Sequence, residues 1–167
     1  MKNLRLSLEH MGSRILVHCD LDAFYAAVET LHHNLDPDIP LILGSDPKGG
    51  TGRGIVSTCN YAARKYGIRS AMPIGEAWRR CPGPPHGNGH YLKSTRGLYS
   101  RASRKVMEIL AKNADKFEQA SIDEAYLDVT DICENNWDTA LALTKNLQSE
   151  IMDTLGLSTS FGIGSTR

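Results

Sequence analysis

The sequence predicts an α+β fold: an antiparallel sheet in ferredoxin-like order with helices on one face, interrupted after the first helix by a small α/β insertion. Three observations carry this expectation. With residues 32–90 set aside, short aliphatic runs and helical periods follow the order β-α, then α-β-β-α-β. Two acidic clusters about a hundred residues apart, Asp20-Leu21-Asp22 and Ser121-Ile122-Asp123-Glu124, each adjoin a predicted strand. Charge is segregated in a chain of zero net charge: Arg53 to Lys105 holds eleven Lys or Arg against one acid, Glu76, leaving eight basic and eighteen acidic residues elsewhere.

Residues 1–13 show no periodic pattern and read as a flexible N-terminal extension or tag remnant. Ile15 to Cys19 is an aliphatic run ending in Asp20, consistent with a buried central strand. Ala23 to Leu31 follows as a helix, with Asp22 as its N-cap and Glu29 in its interior. Pro40–Leu43 and Ile55–Thr58 read as a hairpin around the turn-rich loop Gly44 to Gly52. Asn60–Tyr66, closed by Gly67, and Ile74–Arg80, ended by Cys81-Pro82-Gly83, read as short helices. Pro82 to His90 holds too much Pro and Gly for a regular element. Lys93–Asn113 is the longest helical period, apolar at Leu98, Ala102, Val106, Ile109 and Leu110. Phe117–Ser121 and Ala125–Val129 form a second hairpin, Ala140–Leu155 a helix stopped by Gly156, and Ser158–Ile163 the last strand.

Composition narrows the function classes. At 167 residues the chain supports one domain, or one with a sizeable insertion. Nothing approaches the apolar length of a membrane span, and the start lacks a secretory pattern, so a soluble cytoplasmic protein is expected, or a nuclear one in a eukaryote. Cys19, Cys59, Cys81 and Cys133 have no paired spacing, predicting reduced, mostly buried thiols. His86 and His90 lack the partners of a metal site.

Carboxylates at strand ends are the hard-oxygen ligands that divalent cations take, and acids from distant segments meeting there give the layout of two-metal phosphoryl transfer. Consecutive strand residues face opposite ways, so Asp123 and Glu124 share a site only at a strand end or turn. Asp22 reads as a cap and Asp128 as a strand end. On the acids alone, ordinary surface strand termini fit Asp20 and Asp123 equally well. Lys48-Gly-Gly-Thr-Gly-Arg-Gly54 lacks the order of a P-loop and leads into a strand.

Four ordered blocks go further: Asp20-Leu-Asp-Ala-Phe-Tyr-Ala-Ala-Val-Glu29, Ser57-Thr-Cys-Asn-Tyr-Ala-Ala-Arg-Lys65, Gly67-Ile-Arg-Ser-Ala-Met-Pro73 and Ala120-Ser-Ile-Asp-Glu-Ala-Tyr-Leu-Asp128. From about Arg14 onward the chain resembles the Y-family translesion DNA polymerases, most closely the DinB or polymerase IV branch. The resemblance implies a polymerase palm of residues 14–31 and 91–167 and fingers of 32–90. It also implies error-prone, template-directed DNA synthesis by two-metal nucleotidyl transfer. Asp20, Asp123 and Glu124 would hold two Mg²⁺ ions, with Mn²⁺ able to substitute. The carbonyl of Leu21 would assist, and Glu124 falls at the active-site acid. Tyr25 stands at the steric gate that excludes a 2′-hydroxyl, and Phe24 lines the same pocket. Thr58, Tyr61 and Arg64 match triphosphate-binding positions, and Arg167 stands where a phosphate-binding Lys is common.

Implied partners are primer-template DNA, an incoming dNTP, and a sliding clamp engaged through C-terminal regions absent here. Family members continue into a thumb and a little finger, so the chain reads as a catalytic fragment. The alternative is a non-catalytic nucleic-acid or partner-binding module that keeps the palm fold. A nucleotide cyclase on a similar sheet would lack the basic insertion.

Overall fold

The structure is a computed structural model that describes residues 14–166. In chain order its elements are β1 (Leu16–Leu21), α1 (Phe24–His32), β2 (Leu41–Gly44), β3 (Val56–Cys59), α2 (Tyr61–Arg64), α3 (Ile74–Arg80), β4 (His90–Leu92), α4 (Leu98–Lys112), β5 (Lys116–Gln119), β6 (Glu124–Asp128), α5 (Trp137–Leu155) and β7 (Thr159–Gly164). They form two compact units, residues 14–21 with 103–166, and residues 22–102.

The first unit holds a four-stranded sheet in the order β5-β6-β1-β7, antiparallel throughout, which is the ferredoxin-like order. Along β1, Val17, Cys19 and Leu21 are buried while Leu16, His18 and Asp20 are half-buried, so one face is covered and the other open. Burying each such aliphatic side chain stabilises the fold by roughly 1.5–3 kcal/mol. The buried stripe of α5, Ala140, Thr144, Leu147 and Ile151, repeats at helical spacing. This helix starts before Ala140 because Oδ1 of Asn136 accepts the amides of Asp138 (2.9 Å) and Thr139 (3.1 Å). It ends at Gly156, at φ 68°, a left-handed position that suits glycine.

The second unit holds the sheet β3-β2-β4, with β3 antiparallel and β4 parallel to β2. Leu41, Ile42 and Leu43 are all buried, as expected of a strand covered on both faces. Ile42 packs with Val56, Cys59, Ala63, Ile68 and Ile74, whereas Leu41 and Leu43 pack with Ala26 of α1. Residues 82–89 form no strand, as their composition predicts. The short strand that follows them, β4, belongs to this sheet.

The starts of α1 and α4 also differ from the sequence reading. The N-cap position of α1 is Ala23, in the left-handed region at φ 45°, and not Asp22. The sharp turn out of β1 sets the helix start one residue later than an Asp22 cap would need. α4 begins at Leu98 and not at Lys93, because Gly97 sits at φ 77° and the Thr95 amide bonds the Glu29 carboxylate.

All four cysteines are buried, and burial pushes the thiols of Cys59, Cys81 and Cys133 up. Among the described residues no helix is long and apolar enough to cross a membrane.

Candidate active site

The antiparallel register of the first unit sets Asp20 directly opposite Glu124 on one side and Ser160 on the other. Cα atoms of facing residues in such ladders lie about 4.5–5.5 Å apart, and their side chains leave the same face. Asp20 and Glu124 therefore share the open face at one end of the sheet. His18 and Tyr126, opposed two residues further along, stack at 4.7 Å between ring centroids.

Asp123 comes from the turn between β5 and β6, the irregularity that lets two consecutive acids serve one place. Its carbonyl accepts the Leu21 amide at 3.0 Å, which ties the turn to the end of β1. Ser121 organises the turn. Its Oγ accepts the amides of Asp123 (3.2 Å) and Glu124 (3.1 Å) and donates to Oδ1 of Asp123 at 2.6 Å. The donor set of three carboxylates and the Leu21 carbonyl fits a hard divalent cation by its chemistry. The side chains are not gathered into a finished cage: among the described residues no three His, Cys, Asp or Glu are grouped closely enough to hold an ion.

Asp128, read from sequence as a strand end, also has a bonding role. Its Oδ2 takes two bonds from Arg14 (2.7 and 3.1 Å), and its Oδ1 accepts the hydroxyl (2.6 Å) and amide (3.2 Å) of Thr130. Burial works to raise the carboxyl, but the Thr130 and Arg14 bonds outweigh it and hold the group below its ordinary value.

In the second unit Phe24 is buried in α1, and Tyr25 packs on the Ala26, Leu41 and Leu43 cluster. The ring of Tyr99 stands edge-on to Tyr25 at 4.6 Å and lies 6.4 Å from Phe24. Glu29, fully buried one turn along α1, accepts the Tyr99 hydroxyl at 2.5 Å and the amide (2.6 Å) and hydroxyl (2.9 Å) of Thr95. Its Oε2 also lies 3.1 Å from Nε2 of His33. Burial alone would raise the Glu29 carboxyl, yet the Tyr99, Thr95 and His33 contacts leave it below the usual range.

Thr58 lies in β3, half-buried, and Tyr61 and Arg64 lie on α2. The guanidinium of Arg64 rests over the Tyr61 ring at 4.7 Å, so these two share one face of α2, whereas Thr58, expected from its spacing on the same helical face, lies in the strand before the helix because the extended backbone runs on to Cys59. Asn60 sets that face. Its Oδ1 accepts the amides of Ala63 (2.9 Å) and Leu41 (3.0 Å), while Nδ2 donates to the carbonyl of Ile39 at 2.8 Å. Arg167 lies outside the described residues, as do residues 1–13.

Ser121, Asn60 and the Glu29–Tyr99 pair are the organising residues that the sequence reading passed over. Asn before a helix and Ser two residues before Asp were readable signals of a cap and a side-chain turn. Nothing local indicates that Glu29 meets Tyr99.

The model of the impB/mucB/samB family matches residues 19–167. The chain is 44% identical over 155 residues to DNA polymerase IV of Methanoculleus marisnigri, covering 91% of this chain and 40% of that protein. It is 44% identical over 153 residues to DNA polymerase IV of Streptococcus agalactiae, covering 90% and 40%. Among solved structures, an insertion ternary complex of Dbh DNA polymerase superposes with a TM-score of 0.82 at 33% identity, covering 92% of this chain and 43% of that one. DinB from Sulfolobus solfataricus gives 0.81 at 33% identity, with 92% and 42% covered. The chain thus spans about two fifths of the length of the curated relatives it matches. On the family match and these likenesses, the chain belongs to the impB/mucB/samB family, the Y-family group that contains the DinB-like polymerases.

Proposed function

We propose that this chain supplies the palm and fingers of an error-prone translesion DNA polymerase that joins deoxynucleotides to a primer by two-metal nucleotidyl transfer. The observation that carries the reading is the register that opposes Asp20 to Glu124, with Asp123 bonded through its carbonyl to Leu21. Asp20, Asp123, Glu124 and the Leu21 carbonyl would hold Mg²⁺, or Mn²⁺ in its place. When bound, such ions supply charge stabilisation at the attacking 3′-oxygen and the departing pyrophosphate.

This chain's residues do the rest. Arg64, steadied on Tyr61, offers a planar pair of donors to triphosphate oxygens, and the hydroxyls of Thr58 and Tyr61 add neutral donors. Arg167 would add charge of the same kind. Tyr25 presents a ring at the sugar and leaves no room for a 2′-hydroxyl, with Phe24 beside it. Primer-template DNA and a dNTP are the substrates this reading requires.

The second reading, a non-catalytic nucleic-acid-binding module on the same fold, draws on the carboxylates not forming a finished ligand cage. Primer extension with Mg²⁺ separates the two. On the first reading the chain extends a primer, Asp123→Ala abolishes extension, and Tyr25→Ala admits ribonucleotides. DNA binding without extension at any protein concentration would favour the second.

A further inference from the structure

The triphosphate-binding face proposed for α2 stands on a helix of four residues, Tyr61 to Arg64. A helix that short does not hold its shape alone, because fixing the first turn costs more than its few hydrogen bonds return. Its frame has to come from its two ends. Asn60 supplies the first, its Oδ1 accepting the Ala63 amide at 2.9 Å. We infer that Arg69, a residue outside the proposed ligand set, supplies the second and is a positioning residue for Arg64.

The chain leaves α2 in a tight reversal. The Tyr66 amide bonds the Ala63 carbonyl at 3.0 Å, the Gly67 amide bonds the Arg64 carbonyl at 2.9 Å, and Gly67 lies at φ 72°. That reversal returns the Arg69 side chain to the helix the chain has just left. Its Nη1 donates to the carbonyls of Arg64 (2.9 Å) and Ile68 (2.7 Å) together. The last carbonyls of a helix have no partner within it, and a basic side chain is one of the groups that can supply one. The Ile68 carbonyl is itself held in place. It also accepts the thiol of the buried Cys59 at 3.6 Å, and Ile68 packs in the core with Ile42, Val56 and Ala63. Arg69 therefore ties the backbone of Arg64 to a residue fixed in the core.

Arg80 separates position from charge. It takes a carbonyl of the same reversal, donating from Nη1 to Gly67 at 3.1 Å and from Nη2 to Oε1 of Glu76 at 2.6 Å. Both arginines carry the same charge at the same end of α2, but of the two it is Arg69 that bonds Arg64. The Arg64 guanidinium ends a long side chain, so a small rotation at its Cα is multiplied at the phosphate, and misplaced groups lose much of their worth. The inference rests on the proposed polymerase reading, in which Arg64 meets the triphosphate of the incoming nucleotide.

The test is the affinity of the 167-residue chain for a dNTP in Mg²⁺ buffer, followed by NMR titration, which needs no synthesis. Arg64→Ala removes the proposed ligand and gives the reference loss. Arg69→Ala, at an exposed position, should weaken binding about three- to tenfold, the worth of one or two hydrogen bonds. Arg80→Ala removes an equal charge and should stay within about twofold, as a screened surface charge does. The double variant Arg64→Ala with Arg69→Ala should bind no worse than Arg64→Ala alone, since a residue that acts through Arg64 has nothing left to position. Losses that multiply in the double variant would make Arg69 a phosphate ligand in its own right, and equal losses in Arg69→Ala and Arg80→Ala would reduce it to bulk charge. Either result overturns the inference, as does wild-type affinity in Arg69→Ala. Absence of dNTP binding by the wild-type chain would remove the triphosphate role of Arg64 and this inference with it, whereas a failure confined to Arg69 leaves the polymerase reading standing.

Discussion

Tyr99 gives its hydroxyl hydrogen to Oε1 of the fully buried Glu29 at 2.5 Å, while its ring stands edge-on to Tyr25 at 4.6 Å. One carboxylate on α1 therefore fixes the 95–99 segment and, through Tyr99, one wall against the aromatic residue proposed to sense the sugar. Burial and the adjacent Glu29 charge both raise the Tyr99 phenol, so the proton stays on the tyrosine.

Removing that carboxylate should cost the fold heavily. Glu29→Ala strands the Tyr99 hydroxyl and both Thr95 donors. The expected loss is roughly 2–4 kcal/mol, since buried groups without partners carry their desolvation cost. The midpoint of urea unfolding measures it, and an unshifted midpoint would remove Glu29 from the framework.

The same group gives an acid limb. Glu29 and Asp128 are held below their ordinary values in the folded state, so each contributes stability that is present above its unfolded value, about pH 4, and lost as pH falls through the folded value. Thermal unfolding should be nearly flat near neutrality and drop below about pH 4. Glu29→Gln should lower the neutral plateau and flatten the drop. A slope unchanged by Glu29→Gln and by Asp128→Asn would assign acid sensitivity to other residues.

Periodicity in the sequence was enough for most of the architecture. The strand pairs, α3 at Ile74–Arg80 and the Gly156 stop follow from side-chain spacing and glycine, which are local properties. The acid clusters were legible because strand ends limit where Asp20 and Glu124 can meet. What stayed hidden is long-range: Glu29 reaches Thr95 and Tyr99 across some seventy residues, and no local pattern encodes that meeting. Asp22 misled for the opposite reason, since a cap-forming residue type preceded a helix whose entry is set by the turn at Ala23.

Gly52 and Gly162 should part company on substitution. Gly52→Ala drives a Cβ to 2.2 Å from the Asp46 carbonyl oxygen and 2.8 Å from Pro47 backbone, atoms that cannot yield without opening the loop. It should cost about 1–3 kcal/mol. A Cβ at Gly162 meets nothing within 4 Å, so Gly162→Ala should stay within about 0.5 kcal/mol. Thermal melts of both variants settle it, with equal losses contradicting the loop geometry.

Ser121 offers the sharpest test of the carboxylate site. Its hydroxyl holds Oδ1 of Asp123 at 2.6 Å and accepts two amides of the same turn, so it orients a proposed ligand without being one. Ser121→Ala should cost only about 1 kcal/mol in stability, the net worth of a typical hydrogen bond. Its effect on the metal requirement should be larger, because partners that orient a ligand are worth roughly 10–100-fold in metal affinity. The Mg²⁺ concentration giving half-maximal primer extension should rise by that factor, with the rate at saturating Mg²⁺ largely recovered. Ser121→Thr, which keeps the hydroxyl, should restore the wild-type requirement. A requirement equal in all three proteins would mean that Ser121 closes the turn and does nothing for Asp123.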